Sequence, residues 1–104
     1  MRVFLDECVD WRLSFDLTGH EVQTARQMGW TSIRNGELLS LTSAEFDVFV
    51  TVDRNRAFQQ NVRTLPICVI VLHAQTNRLF DLKPLVPRLL SAIATAAPGL
   101  VMIE

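Results

Sequence analysis

The sequence predicts a three-layer α/β/α domain with a mainly parallel central sheet. Short, almost continuously apolar runs alternate with stretches of helical or turn character, which is the pattern of buried parallel strands joined by helices. Two of these runs, residues 3–5 and 48–52, lead directly into the acidic residues Asp6 and Asp53. Because ligands bind beyond the carboxyl ends of parallel strands, we expect both acids at the binding edge of the sheet.

The first half of the chain supplies two short strands and two helical segments. Residues 2–5 and 21–24 are the predicted strands, and residues 8–17 between them carry apolar residues at helical spacing. A helical turn over 25–28 ends at Gly29. These elements form the first β-α-β-α part of the predicted alternation.

The second half continues the pattern. Asn35 is the predicted N-cap of the helix before the third strand, residues 48–52. A short helix is predicted over 57–62, and the apolar run over 67–72 is the fourth strand.

The remaining residues predict a long helix and a terminal strand over 100–103. Pro84 suits the first turn of that helix, whereas Pro87 predicts a bend in it. The complete alternation predicts a parallel sheet with helices on both faces and right-handed crossovers.

Length and composition favour one soluble domain. A chain of 104 residues, of which 49% are apolar, is long enough to form a single domain over residues 1–104 with its own core. The net charge of −1 gives no general attraction to nucleic acid or to anionic lipid. The sequence has no signal-peptide pattern and no apolar run near the roughly 20 residues that a membrane helix needs. We therefore expect a cytoplasmic protein with no membrane segment, whose Cys8 and Cys68 stay reduced.

Asp6, Glu37 and Asp53 are the candidate site residues. Each has a plain structural alternative, because Asp commonly caps a helix and Glu is stabilised in a first helical turn. Glu7 adds a second acid at the first site. Three carboxylates without a His or Cys partner fit Mg²⁺ or Mn²⁺ better than Zn²⁺, and such an ion assists phosphodiester hydrolysis.

Four segments carry a resemblance to a known family. They are residues 4–7 (Phe-Leu-Asp-Glu), 19–22 (Gly-His-Glu-Val), 35–39 (Asn-Gly-Glu-Leu-Leu) and 47–55, which contains Thr-Val-Asp. Together they resemble the small PIN-like domain family, related to the VapC-type toxins of type II toxin–antitoxin systems. The resemblance covers nearly the whole chain.

The resemblance implies a metal-dependent endoribonuclease with Asp6, Glu37 and Asp53 as catalytic metal ligands for Mg²⁺ or Mn²⁺. Thr51 would orient Asp53 or a water molecule at the ion. The chain departs from the family where relatives often carry acids, at Asn35 and at Asn55. Asn can ligate through its carbonyl oxygen but brings no charge, so Asn55 would have only a supporting role.

The resemblance also implies partners: an RNA substrate and a cognate antitoxin protein, with a homodimer left open. Arg54, Arg56 and Arg78 are candidate contacts for RNA phosphates, although each also suits an ordinary solvated surface. His73, near the end of the fourth strand, is a candidate acid, base or phosphate donor. Trp11 is a candidate for base stacking, with packing as its alternative.

Two other functions compete with a ribonuclease. One is a catalytically degenerate PIN-like domain that binds a protein or RNA, which the amides Asn35 and Asn55 favour. The other is a receiver domain like those of response regulators, which has the same alternation and acidic pocket. The receiver is disfavoured because Lys83 lies at a predicted helix start rather than at a strand end.

Overall fold

Five parallel strands form a central sheet in the computed structural model, in the order β2-β1-β3-β4-β5. The structure describes residues 1–54 and 65–104, apart from the Asn35 side chain. The predicted helix over 57–62 and the candidates Asn55 and Arg56 lie outside the described residues. The strands are β1 (Arg2–Leu5), β2 (Glu21–Thr24), β3 (Val48–Thr51), β4 (Cys68–Leu72) and β5 (Gly99–Ile103).

The three central strands are buried because nearly every residue in them is apolar. Val3 pairs with Val48 and Phe4 with Phe49 between β1 and β3, and Val48 pairs in turn with Cys68 of β4. All residues of β3 and β4 are buried, as expected for strands covered on both faces. The outer strands β2 and β5 are exposed or half-buried except at their last residues, Thr24 and Ile103, which are buried.

Six short helical segments connect the described strands. Their bounds are a first 3₁₀ helix (Trp11–Asp16), α1 (Ala25–Met28), α2 (Asn35–Glu45), α3 (Leu79–Leu82), a second 3₁₀ helix (Lys83–Leu85) and α4 (Val86–Ala94). In α1 the side chains of Thr24 and Gln27 form a reciprocal capping box. Gly29 ends α1 at φ +72°, a left-handed conformation that glycine adopts without strain.

Three helix predictions need correction. The segment predicted as a helix over 8–17 is only a 3₁₀ helix over residues 11–16, and it begins late because Asp10 caps it by accepting a hydrogen bond from the Arg12 N–H. Asn35 is not the N-cap of α2: Arg34 holds that position, without a side-chain capping bond. The predicted long helix is divided, and Pro87 lies in the first turn of α4, where its missing N–H costs nothing.

The sheet has apolar clusters on both faces. One face, here the Phe4 face, carries Phe4, Phe49 and Val69, which pack against Leu38 and Leu39 of α2. The opposite face, here the Val3 face, is covered by the first 3₁₀ helix and by α3 and α4. The predicted five-stranded parallel sheet with helices on both faces is therefore confirmed, and it is compatible with a three-layer α/β/α architecture.

The prediction that all crossovers are right-handed is wrong for at least one connection. The β2–β3 and β4–β5 connections step in the same direction along the sheet, yet α2 lies on the Phe4 face and α4 on the Val3 face. These two connections must therefore have opposite hands. The physical reason is coverage: the six-residue 3₁₀ helix is too short to bury the Val3 face, and the apolar side of α4 completes the cover.

Among the helices within residues 1–54 and 65–104, none combines the length and the apolar character that crossing a membrane requires.

The contribution of α4 can be tested with Leu89→Ala. Leu89 is fully buried on the Val3 face, so its truncation leaves a cavity that we expect to lower the free energy of unfolding by about 2–5 kcal/mol. Its neighbour Arg88 is exposed. Arg88→Ala is therefore the control and should change the urea midpoint little; equal midpoints for the two variants would show that α4 does not bury this face.

Candidate functional site

Asp6 and Thr51 lie at the point where the strand order reverses, between β1 and β3. Asp6 follows the last residue of β1, and its backbone N–H continues the ladder by donating to the Val50 carbonyl over 2.9 Å. Side chains alternate along a strand, so Asp6, directly after β1, has the same facing as Phe4, and Thr51 has the same facing as Phe49. Both therefore belong to the Phe4 face at the carboxyl edge, where doubly wound sheets bind ligands, and Asp53 follows β3 by two residues at the same edge.

The Thr51 hydroxyl connects the two strand ends. It donates a hydrogen bond to Asp6 Oδ2 over 2.8 Å and accepts one from the Asp53 backbone N–H over 3.0 Å. Asp6 Oδ1 accepts from the Glu7 N–H over 2.8 Å, and the Cys8 thiol lies 3.4 Å from both Asp6 Oδ2 and Thr51 Oγ1. The Asp6 carboxyl group is thus held in one orientation by three donors.

Burial dominates the electrostatics of Asp6. Only 6% of this residue is exposed, and burial raises the pKa of its carboxyl group above the ordinary value of 3.8, with the negative charge of Glu7 adding to the rise. Hydrogen bonds from Thr51, Cys8 and the Glu7 backbone oppose that rise without cancelling it. A buried acid in this environment binds a proton more readily than a surface aspartate does.

Asp6 does not serve as a helix N-cap, which was the structural alternative to a site role. The residue that caps the first 3₁₀ helix is Asp10, whose carboxylate also pairs with the Arg12 guanidinium at 2.7 Å. For Asp53, which is half-buried, the segment that it would cap begins at residue 55 and lies outside the described residues. The capping alternative therefore stays open for Asp53 alone.

Glu37 lies on the predicted side of the sheet but does not complete a metal site. Since α2 links the carboxyl end of β2 to the amino end of β3, its first turn lies at the same edge and on the same face as Asp6. Glu37 is exposed there. Among the described residues, no three His, Cys, Asp or Glu side chains come close enough to hold a metal ion.

Glu7 has a structural contact of its own. Its Oε1 accepts a hydrogen bond from the Ser32 N–H over 3.0 Å, and Ser32 has φ +63°, an unusual conformation for a residue with a side chain. Glu7 therefore supports the turn that precedes α2, in addition to placing a charge next to Asp6.

Among the described residues, the acids at this edge do not form a preformed three-carboxylate site. Thr51 donates to the Asp6 carboxyl group and accepts from the Asp53 backbone N–H, so the side chain of Asp6 and the main chain of Asp53 are linked at this edge. Mg²⁺ commonly binds to proteins through one or two carboxylates, keeps several waters and gains its remaining ligands from substrate phosphates. The three-ligand arrangement with Glu37 stays a prediction.

A cleft of about 620 Å³ opens beside Asp6. Its described lining includes Glu7 and Trp11 from the loop and helix after β1, Arg26 from α1, and Arg78 before α3. Arg78 and Asp6 were predicted as site residues, whereas Arg26 and Asp10 were not. Arg26 is identified only by the sheet order, which brings the end of β2 beside β1, whereas Asp10 follows Asp6 closely in the sequence.

Arg54 and His73 are joined at the neighbouring part of the same edge. Arg54 Nη1 lies 3.1 Å from His73 Nε2, and His73 Nδ1 lies 3.4 Å from Glu104 Oε1. Since a guanidinium can only donate, Nε2 accepts and the ring proton sits on Nδ1, directed at Glu104. His73 thus contacts Arg54, one of the arginines predicted to bind phosphate. Arg56, another of them, lies outside the described residues.

Trp30, Cys8 and Cys68 have structural roles. Trp30 packs against Phe4 and Phe46 at centroid distances of 5.7 and 6.2 Å, so it belongs to the core edge. Cys8 and Cys68 are both free, as predicted. Burial raises the pKa of each thiol, which keeps them protonated and weakly reactive.

Comparison of the chain with protein-family models, with curated proteins and with solved structures finds no match. The proposed function therefore rests on the geometry of the site and on the motifs in the sequence.

The bridging role of Thr51 predicts a difference between two substitutions. Thr51→Val has nearly the same shape but leaves the buried Asp6 carboxyl and the Asp53 N–H without this partner, so we expect a loss of about 1–3 kcal/mol in unfolding free energy. Thr51→Ser keeps the hydroxyl and should lose less. Urea denaturation of both variants measures this, and a valine variant as stable as the serine variant would contradict the bridge.

The raised pKa of Asp6 predicts a pH dependence of stability. Between the unfolded-state pKa and the higher folded-state pKa, the folded protein binds more protons, so stability falls as pH rises through that window. Asp6→Asn cannot ionise and should lose this component. The melting temperature of Asp6→Asn minus that of wild type should therefore increase from pH 4 to pH 7. The control is Glu45→Gln, which removes an exposed acid at the C-terminal end of α2. Its melting temperature should differ from that of wild type by the same amount at both pH values.

Proposed function

We propose that this protein is a PIN-like, metal-dependent endoribonuclease, acting in the cytoplasm as the toxin of a toxin–antitoxin pair. The observation that carries the hydrolytic part is the buried Asp6–Thr51 hydrogen bond at the switch point of the sheet. The toxin role, its antitoxin partner and the PIN-like assignment rest on the sequence resemblance.

The other buried polar side chains make the Asp6–Thr51 pair informative. Among the described residues, the buried polar positions are Asp6, Thr24, Thr42 and Thr51. Thr24 caps α1, and Thr42 donates to the Leu38 carbonyl one turn earlier in α2. Those two serve the local backbone, whereas Asp6 and Thr51 join two strands through side chains at a binding edge. A buried carboxyl group costs stability, so its presence there favours a function.

In this proposal Asp6 and Asp53 would hold Mg²⁺ or Mn²⁺ together with a phosphate of the bound RNA. When bound, the ion supplies Lewis acidity at the phosphoryl group and favours deprotonation of an attacking water. Thr51 keeps the Asp6 carboxyl group oriented through its hydrogen bond. Arg54 and Arg78, which are exposed at the same edge, would neutralise the RNA backbone.

A second function, RNA or protein binding by a degenerate PIN-like domain, is favoured by one observation. Within the described residues no group of three potential ligands is assembled, and a hydrolase that needs a preformed site would show one. The two functions share the fold and the cleft, and they differ in whether RNA is cut.

The distinguishing experiment is cleavage of single-stranded RNA with and without Mn²⁺. Asp53→Asn should reduce the cleavage rate about a thousandfold, because loss of a metal ligand removes several kcal/mol of transition-state stabilisation. Its melting temperature should stay nearly the same, since Asp53→Asn keeps the backbone N–H that donates to Thr51.

Glu45→Gln is the matched control, because it removes an exposed carboxylate at the C-terminal end of α2, which lies at the amino edge of the sheet and away from Asp53. It should cleave at the wild-type rate. Wild-type cleavage by Asp53→Asn would remove Asp53 from the site, and RNA binding without cleavage by wild type would favour the degenerate binding domain.

A further inference from the structure

An exposed aromatic pair stands beside the acidic edge. Trp11 is 57% exposed and Phe15 is 72% exposed, one helical turn apart in the first 3₁₀ helix. Their ring centroids lie 5.6 Å apart with an interplanar angle of 75°, an edge-to-face contact that restricts the indole. Two large aromatic residues left this exposed on a short helix need a reason beyond packing.

Trp11 lies between two concave surfaces. It lines the cleft of about 620 Å³ that contains Asp6, and also a cavity of about 310 Å³ whose lining includes Phe15, Thr24 and Arg26. The indole is therefore part of the same continuous surface as the proposed hydrolytic centre. The volume of the larger cleft is within the range that small ligands such as nucleotides occupy.

The charges around Trp11 suit a phosphodiester chain. Arg26 and Arg78 line the cleft, and no ion pair in residues 1–54 or 65–104 involves either guanidinium. Three acids also line the cleft: Asp10 is paired with Arg12 at 2.7 Å, Glu7 accepts a hydrogen bond from the Ser32 N–H, and Asp6 is buried. An aromatic ring with free arginines beside it is the arrangement that binds unpaired nucleotides, with the base stacked and the phosphates neutralised.

We infer that Trp11 is a nucleobase-stacking residue of a single-stranded RNA subsite, with Arg26 and Arg78 binding the phosphates beside the stacked base. This inference rests on the proposed function, since it names how the RNA would enter the acidic edge. A protein partner covering Trp11 and Phe15 is the competing occupant. The two unpaired arginines and the shared cleft with Asp6 favour RNA.

Fluorescence of Trp11 provides the test. In Trp30→Phe, which keeps an aromatic ring against Phe4, Trp11 is the remaining tryptophan. In EDTA, to prevent cleavage, a short single-stranded RNA should quench this fluorescence, whereas an abasic oligonucleotide of equal length and charge should not. Equal quenching by both oligonucleotides, or none by either, would overturn base stacking.

Substitutions in the otherwise wild-type chain test the contribution to affinity. Trp11→Ala should weaken RNA binding about tenfold, the order expected for one stacked base, while Trp11→Phe should keep most of the affinity. Phe80→Ala is the matched control, because Phe80 is 85% exposed on α3 and is not part of the described lining of either cavity.

The outcomes separate this inference from the proposed function. Stacking in EDTA without any cleavage in Mn²⁺ would support the subsite and contradict the nuclease. Cleavage by wild type with unchanged RNA affinity in Trp11→Ala would support the nuclease and overturn the subsite. Self-association that Trp11→Ala abolishes, with RNA affinity unchanged, would assign the aromatic pair to a protein contact and also overturn the inference.

Discussion

The site depends on one buried hydrogen bond, the 2.8 Å contact from the Thr51 hydroxyl to the Asp6 carboxyl group. Thr51 is fully buried at the end of β3, a position where an apolar β-branched residue would pack equally well and would satisfy the sheet. The hydroxyl instead holds the end of β1 and the start of the segment after β3 in a fixed relation. The arrangement places an acid of raised pKa where the strand order reverses.

The rest of the fold supports that contact from both faces. The aromatic stack of Phe4 on Phe49, with centroids 5.4 Å apart, lies two residues before Asp6 and Thr51 on the same face. On the Val3 face, α4 and the first 3₁₀ helix bury the alternate residues of the same strands. A rigid, apolar support on two sides lets a polar pair at the strand ends keep one geometry, as an enzyme centre requires.

Local sequence patterns predict the strands and the position of Asp6 at the end of β1 well. A continuous apolar run in a domain of this size has few possible structures other than a buried strand. Local patterns fail where long-range packing decides. Residues 8–17 have helical spacing, but the Asp10 cap and the Arg12 pair shorten the helix to a 3₁₀ segment. The hand of the β4–β5 connection and the position of Arg26 in the cleft depend on strand order, which no local pattern contains.

The central claim is that Asp6 and Asp53 bind a divalent ion together with an RNA phosphate. It is tested most directly by the melting temperature during a Mn²⁺ titration, with and without a single-stranded oligonucleotide whose 2′-hydroxyls are methylated. We expect a saturable rise in melting temperature that the oligonucleotide strengthens and that Asp6→Asn abolishes. A melting temperature that Mn²⁺ leaves unchanged, or raises equally in wild type and Asp6→Asn, would contradict it.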